Sequence, residues 1–161
     1  LPFTRKIFPA REKRTGHLNI EEIVRAVESL SGSKTGALIV ISRSGLPDYF
    51  SEGGERLDSK ISSALLVTIF TKNSPLHDGA VLIENGRIIA ARCPLPITEQ
   101  LNIANGFGMR HRAALGMSEQ TDAMVIVVSE ETGNISVASA GKIISNIKSN
   151  DLRKILAAEK I

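Results

Sequence analysis

The sequence predicts one α/β domain of the α+β type, in which helices pack on the faces of a central mixed, largely antiparallel β-sheet. Its 161 residues, 42% apolar and 23% charged, suit a single compact domain with one core. Two pairs of apolar segments are each joined by a short turn typical of a β-hairpin, which favours local antiparallel pairing. Segments with helical spacing lie before, between and after these pairs, so we expect helices to cover the sheet.

The first elements follow from helix capping and apolar spacing. Asn19 can cap a helix over residues 20–30, whose apolar residues recur at three- and four-residue intervals, and Gly32 would end it. The apolar run over residues 36–42 predicts a buried strand, and the segment 44–47, which contains a glycine and a proline, predicts the turn after it.

The middle of the chain predicts a helix followed by a hairpin. Asp58 can cap a helix over residues 59–70, where apolar residues recur every four positions. Two apolar strands over residues 80–93 flank Asn85 and Gly86, a pair that favours a tight type I′ turn.

The last third predicts a helix over residues 110–120, a second hairpin over residues 123–139 and a final helix over residues 150–160. The second hairpin would turn through residues 131–133, which end in a glycine. No internal repeat or low-complexity segment interrupts this order, so one domain accounts for the whole set of elements.

Composition excludes several classes of protein. The single cysteine, Cys93, rules out an intrachain disulfide and a four-cysteine zinc site. No uncharged apolar run approaches the roughly 18 residues that a membrane-spanning helix needs. Five phenylalanines, one tyrosine and no tryptophan argue against binding single-stranded nucleic acid, which uses several aromatic stacking platforms.

The formal net charge of +3 is concentrated at the beginning of the chain. Residues 1–16 hold five basic residues and one acidic residue, so residues 17–161 carry a net charge of −1. We expect residues 1–18 to form a basic linker and residues 19–161 to form the folded domain. Such a linker is either a solvated terminus or a segment that lies beside anionic lipid headgroups.

The first polar motif, Leu76-His77-Asp78-Gly79-Ala80, lies at the entrance to a predicted strand. A carboxylate at this point can hold a divalent cation or a hydroxyl group, while a glycine lets a ligand approach the backbone. The alternative is that Asp78 and Gly79 only form a turn.

The second motif, Gly108-Met109-Arg110-His111-Arg112, lies at the start of a predicted helix. Guanidinium groups bind phosphates bidentately, and free backbone N–H groups at a helix start add positive potential. Residues two apart on an α-helix point about 200° away from each other, so both arginines can grip one phosphate only in an extended segment or in the first turn. The alternative is a solvated basic helix end, although cations are disfavoured there.

The third motif, Ser129-Glu130-Glu131-Thr132-Gly133, follows an apolar strand. Its hydroxyl and carboxylate groups either contact a metal or a phosphate, or belong to a solvated turn. The chain has neither the glycine-rich phosphate loop nor the dinucleotide-binding fingerprint, and its histidines lack the spacing of a zinc site.

Together, the three motifs resemble the diadenylate cyclase (DAC) domain, in particular the membrane-anchored bacterial class. Asp-Gly-Ala at residues 78–80 and Arg-His-Arg at residues 110–112 are signatures of that family, and they occur here in the family's order, about thirty residues apart. The resemblance extends from about residue 20 to residue 139. It implies the DAC fold and the condensation of two ATP molecules into cyclic di-AMP, with release of two pyrophosphates, between facing sites of a head-to-head homodimer.

The resemblance also implies a role for each motif residue. Asp78 would position Mg²⁺ or Mn²⁺ and activate the attacking 3′-hydroxyl group, Arg110 and Arg112 would hold the triphosphate, and His111 would orient that stretch. Further metal contacts would come from His77, Glu130 and Glu131. The nucleotide would also contact Gly79, Ala80, Gly108, Met109 and Ser129, and the backbone of Leu95 would read the adenine. The chain departs from the family at Met109, where a threonine is common, and at Pro94, where relatives carry a tyrosine.

The membrane-anchored class places the cyclase domain after a bundle of membrane helices. The resemblance therefore implies a cytoplasmic domain whose membrane contact lies N-terminal to Leu1, with no nucleic-acid partner. An alternative function is a non-catalytic adenine-nucleotide sensor. A membrane-surface or nucleic-acid module driven by the basic residues 1–16, and a metal-dependent phosphohydrolase, are weaker alternatives.

Overall fold

The computed structural model describes residues 17–103 and 106–159. Within them the chain forms five helices and seven strands. In chain order they are α1 (Ile20–Gly32), β1 (Ala37–Ile41), α2 (Asp48–Glu52), β2 (Glu55–Lys60), α3 (Ser63–Phe70), β3 (Ala80–Glu84), β4 (Arg87–Cys93), α4 (Met109–Gln120), β5 (Met124–Val128), β6 (Ile135–Ser139), β7 (Lys142–Ile147) and α5 (Ser149–Ala158). The linker predicted over residues 1–18 lies outside the described residues, except for its last two positions.

The seven strands form one sheet in the order β2-β4-β3-β1-β5-β6-β7. The central pair, β1 and β3, is parallel. The other five neighbouring pairs are antiparallel. The sheet is therefore mixed and largely antiparallel, as the sequence predicts.

Two apolar layers cover the two faces of the sheet. On one face, side chains such as Ile39 pack with apolar residues of α1, α3 and α5. On the other face, Leu38 and Val40 pack with α4, where Ala114 and Met117 are fully buried. All five residues of β1 are buried because successive side chains point to opposite faces, each of which is covered by helices.

Both predicted hairpins are confirmed. Asn85 and Gly86 have φ angles of 50° and 71°, the positive pair that a type I′ turn requires, between β3 and β4. β5 and β6 pair antiparallel on either side of residues 129–134. The predicted helices over 20–30, 110–120 and 150–160 are found to within two residues at each end.

The predicted helix over residues 59–70 is wrong at its beginning. β2 extends to Lys60, and the helix starts at Ser63, where the Ser62 hydroxyl accepts a hydrogen bond from the Leu65 N–H group at 3.2 Å. Asp58 is not a cap, because it lies within β2 with a φ of 55° and accepts a 2.7 Å bond from Arg87 Nε. The strand is held by its pairing with β4, which local spacing does not reveal.

Three other features were not predicted from the sequence. The short helix α2 and the strand β7 bury few of their residues, and neither shows a clear apolar period. Leu18, on the linker side of the predicted boundary, is buried against the core. The core therefore begins at least one residue earlier than predicted.

Ile126 tests whether the central strands carry the stability of the domain. It is fully buried on β5, so Ile126→Ala should lower the free energy of unfolding by about 2–5 kcal/mol through the cavity it leaves. Ile144→Ala is the matched control, because Ile144 is 63% exposed on the edge strand β7, and its cost should be within about 0.5 kcal/mol. Urea unfolding measures both, and equal losses would contradict this account of the core.

Candidate active site

Strand direction brings the polar motifs to one end of the sheet. β1 and β3 are parallel, so Gly36 and Gly79, which immediately precede them, lie at the same end. β5 is antiparallel to β1, so Ser129, which follows β5, lies there too. β4 is antiparallel to β3, with Ala80 opposite Cys93, so the chain leaves β4 at this end. Four neighbouring strands thus contribute their ends to one place.

Helix α4 begins over this end and encloses a cavity of about 270 Å³ with the turn after β5. The cavity lies between residues 106–111 and residues 128–131. Seven residues that the sequence predicts as functional line it: Gly108, Met109, Arg110, His111, Ser129, Glu130 and Glu131. The second and third motifs, about twenty residues apart in sequence, therefore form one site.

Arg110 supplies the positive charge of this cavity. A Cβ atom on Gly36 would lie only 2.5 Å from Arg110 Cζ, so the guanidinium group occupies the space beside the start of β1 that a side chain would fill. Its Nη1 atom lies 3.4 Å from Glu130 Oε2, on a carboxylate that is 69% exposed. Exposed ion pairs contribute little stability. The guanidinium is thus held in position by packing against Gly36. Its ion pair with Glu130 can be replaced by a contact with an anionic ligand.

His111 organises the beginning of α4. Its ring is buried and stacks on Phe107, with ring centroids 4.5 Å apart and planes 12° from parallel. Its Nδ1 atom lies 3.2 Å from the Gly108 nitrogen and accepts a hydrogen bond from that N–H group, so the hydrogen of the neutral ring belongs on Nε2. Burial, and secondarily the charge of Arg110, lower the pKa of His111. The imidazole is a neutral group that holds the loop before α4 against the helix.

Phe107 is a site residue that sequence reasoning missed. An aromatic residue four positions before a histidine can stack on it across the start of a helix, and this spacing was the available signal. Its ring stacks on the imidazole, and both residues line the cavity.

The turn after β5 is organised by hydrogen bonds to the Ser129 side chain. Its hydroxyl oxygen accepts hydrogen bonds from the N–H groups of Glu131 and Thr132, at 3.2 and 3.3 Å. The Ser31 hydroxyl, near the end of α1, donates to the Gly133 carbonyl at 2.6 Å and ties the turn to the helix layer. The hydrogen of the Ser129 hydroxyl is left to donate to a ligand in the cavity.

Asp78 and Gly79 form the entrance to β3. Asp78 is exposed, and Gly79 has a φ of +128°, which side chains rarely adopt. A Cβ atom on Gly79 would lie 2.7 Å from the Arg92 carbonyl carbon, a backbone atom that cannot move aside. The backbone conformation that presents Asp78 therefore requires glycine. Ala80 is fully buried, and its predicted contact with the nucleotide stays a prediction.

His77 precedes Asp78 in the loop before β3 and is half-buried. Its Nδ1 atom lies 2.6 Å from the Ser74 carbonyl oxygen, which can only accept, so Nδ1 carries the hydrogen and Nε2 has a free lone pair. Within residues 17–103 and 106–159, no three of the His, Cys, Asp or Glu side chains gather into a group that could hold a metal ion. The predicted ligands His77, Asp78, Glu130 and Glu131 therefore do not form a metal site by themselves. An ion of the Mg²⁺ type is commonly held by one or two carboxylates together with substrate phosphates, so the chemistry of the carboxylates suits such an ion. The predicted metal contacts stay predictions.

Six predicted site residues do not line the cavity: His77, Asp78, Gly79 and Ala80 at the entrance to β3, and also Arg112 and Leu95. The Arg112 N–H group donates to the Gly108 carbonyl at 3.2 Å, so this residue is already in the α-helix, and its side chain points away from that of Arg110. Leu95 lines a second, mainly apolar cavity of about 360 Å³ together with Tyr49 and Phe50 of α2. The predicted contacts of Arg112 with phosphate and of Leu95 with adenine stay predictions.

Comparison with known proteins identifies the family. The model of the DAC family, described as DisA bacterial checkpoint controller nucleotide-binding, matches residues 24–143. The chain belongs to the DAC family. The match contains all three motifs and both hairpins, and it agrees with the resemblance found in the sequence.

Full-length relatives and solved structures of the DAC family are similar over most of this chain. It is 44% identical over 98% of its length to the cyclic di-AMP synthase CdaA of Bacillus subtilis, and 43% identical over 99% to a diadenylate cyclase of Listeria monocytogenes. It covers 57% and 58% of these proteins, so it spans little more than half of their length. The crystal structure of a double mutant of DacA from Staphylococcus aureus superposes with a TM-score of 0.85 at 40% identity, covering 87% of this chain and 93% of that one.

Within the part of the chain that the structure describes, no helix combines the length and the apolar character that crossing a bilayer requires.

Protonation of His111 should weaken the fold. Burial holds its pKa below the usual 6.5, so the folded protein binds this proton less readily than the unfolded chain. Stability is then fully present above pH 6.5 and is lost as the pH falls through the lower, folded-state pKa. His111→Asn keeps an acceptor near the position of Nδ1 but does not titrate. Between about pH 7.5 and about pH 5, urea unfolding should show a larger loss of stability for the wild type than for this variant. Equal losses would contradict the proposed role of burial.

Proposed function

We propose that this chain is the catalytic domain of a diadenylate cyclase, which condenses two ATP molecules into cyclic di-AMP and releases two pyrophosphates. The observation that carries the proposal is the cavity between the start of α4 and the Ser129 turn, with the Arg110 guanidinium placed at the start of β1. The names of the relatives in Bacillus subtilis and Listeria monocytogenes support it.

The triphosphate of ATP would bind at the beginning of α4. The N–H groups of Met109, Arg110 and His111 belong to the first turn and have no acceptor within the helix. Together with the positive end of the helix dipole they attract phosphate oxygens. The Arg110 guanidinium and the Ser129 hydroxyl add two side-chain donors from different elements. Arg110 would then offset the charge that develops on the departing pyrophosphate.

Asp78 would act on the attacking hydroxyl group. Its exposed carboxylate stands at the entrance to β3, the parallel neighbour of the strand that Gly36 precedes, and would accept the proton of a 3′-hydroxyl. Asp78, with His77, Glu130 or Glu131, would also hold Mg²⁺ or Mn²⁺ shared with the phosphates. When bound, such a cation lowers the pKa of the 3′-hydroxyl group and neutralises phosphate charge.

The stoichiometry requires two domains. Cyclic di-AMP contains two phosphodiester bonds, and each forms when the 3′-oxygen of one nucleotide bonds to the α-phosphorus of the other. The bond from that phosphorus to the β-phosphate bridging oxygen breaks, pyrophosphate leaves and the hydroxyl proton passes to a base. Because one triphosphate site holds one ATP, two sites must face each other in a homodimer. The membrane attachment of the parent protein through a preceding segment, and hence a cytoplasmic position for this domain, is part of the same proposal.

The reaction itself is the direct test. Incubation with ATP and either Mn²⁺ or Mg²⁺ should give cyclic di-AMP and pyrophosphate, identified by mass spectrometry. The specific rate should rise with protein concentration, because the productive species is a dimer. Saturable ATP binding without any pyrophosphate would instead identify a nucleotide sensor, and production of ADP or AMP would identify a phosphohydrolase. Either outcome would overturn the proposal for this domain.

Two variants separate chemistry from binding. Asp78→Asn should lower kcat by about 100-fold or more, as loss of a general base does, and leave ATP affinity nearly unchanged. Arg110→Ala should weaken ATP binding by about 10- to 100-fold, because charged hydrogen bonds to the phosphates are lost.

Matched controls remove the same residue types from exposed positions. Asp48→Asn changes a carboxylate of α2, and Arg25→Ala removes a guanidinium that is 71% exposed on α1. Both controls should keep wild-type rates and affinities. If Asp78→Asn and Arg110→Ala also did so, the assigned roles would be wrong.

A further inference from the structure

The position of the Arg110 guanidinium depends on a residue outside the three motifs. A Cβ atom built on Gly36 would lie 2.5 Å from Arg110 Cζ and 3.0 Å from Nε, and it would also collide with Nη1. We infer that Gly36 is a positioning residue, whose missing side chain lets Arg110 lie over the start of β1 and bind the triphosphate. This inference rests on the proposed function for the identity of the ligand.

The backbone at Gly36 does not itself require glycine. Gly36 is absent from the residues with positive φ in the described chain, so an alanine can adopt its conformation. The three nearest neighbours of the added Cβ are all atoms of the Arg110 guanidinium, at the far end of a flexible side chain. A substitution at this position would therefore move the guanidinium and leave the strand in place. This differs from Gly79, where the obstacle is backbone and φ is positive.

Displacing the guanidinium matters because of where Gly36 lies. It precedes β1, which lies between the strand that Asp78 and Gly79 precede and the strand that Ser129 follows. The guanidinium above it is thus central among the strand ends. Its pairing with Glu130, at 3.4 Å on an exposed carboxylate, is too weak to hold it there against a steric clash.

Arg112 cannot replace a displaced Arg110. It lies two residues further along α4, about 200° around the helix, and does not line the cavity. The cost of adding one methyl group at Gly36 should therefore approach the cost of removing the Arg110 side chain.

The test compares Gly36→Ala with Gly32→Ala. A Cβ atom on Gly32, at the end of α1, meets nothing within 4 Å, and this glycine also has no positive φ. Binding is measured with the unreactive ATP analogue that carries a methylene group between the α- and β-phosphates. Gly36→Ala should bind it about 10- to 100-fold more weakly than the wild type, and Gly32→Ala should bind it equally well. Thermal unfolding of both variants should occur at or above the wild-type temperature, because alanine reduces the entropy of the unfolded chain.

A double-mutant cycle shows whether Gly36 acts through Arg110. In an Arg110→Ala background, adding Gly36→Ala should change the affinity by less than about twofold, because the clashing group is already gone. Wild-type affinity of Gly36→Ala would overturn the inference. So would an equal loss of affinity in the presence and absence of the Arg110 side chain.

A crystal structure of nucleotide-free Gly36→Ala keeps this inference separate from the proposed function. The guanidinium should be displaced from the start of β1 while the strand register with β3 and β5 is retained. A guanidinium that keeps its place would overturn the inference even if the wild type makes cyclic di-AMP. A displaced guanidinium in a protein that makes no cyclic di-AMP would support the positioning role and reject only the proposed reaction.

Discussion

The pairing of β1 with β3 on one side and β5 on the other is the interaction on which the site depends. β1 is buried on both faces, so a shift of its register by one residue would exchange every side chain between two different apolar layers. The parallel pair places two strand beginnings side by side, and the antiparallel partners place two strand ends next to them. The polar motifs are brought together because the core fixes these directions.

At this end of the sheet, the absence of side chains is as important as their presence. Gly36 leaves the space that the Arg110 guanidinium fills, and Gly79 lets the chain pass close to the backbone of β4. His111 stays neutral in its buried position and holds the loop before α4, with Phe107 stacked on it. Residues 17–161 together carry a net charge of −1, so binding of an anion depends on where individual basic groups lie and not on the overall charge.

Much of the fold could be predicted where local chemistry decides the conformation. The Asn85-Gly86 turn and the Asn19 cap act within a few residues, and the hairpin and helix beside them were placed to within two residues. β2 could not be predicted, because it is a polar edge strand held by pairing with β4, about thirty residues away. β7 was missed although it pairs with the adjacent β6, because only one of its six residues is buried. Asp58 illustrates the same limit, since its type suits a helix cap but β4 holds it in a strand.

The sequence by itself determined the kinds of group available to the site: carboxylates at Asp78 and the Glu130–Glu131 pair, guanidinium groups on either side of His111, and a family resemblance that the comparisons confirm. Only the tertiary structure decided which of these groups meet. It placed Arg110 in the cavity and Arg112 outside it, assigned His111 to the support of α4, and gave Gly36 a place in the site. The physical reason is that residue types and turn conformations are local properties of the sequence. Which strand ends lie next to each other depends instead on contacts between residues far apart in the chain.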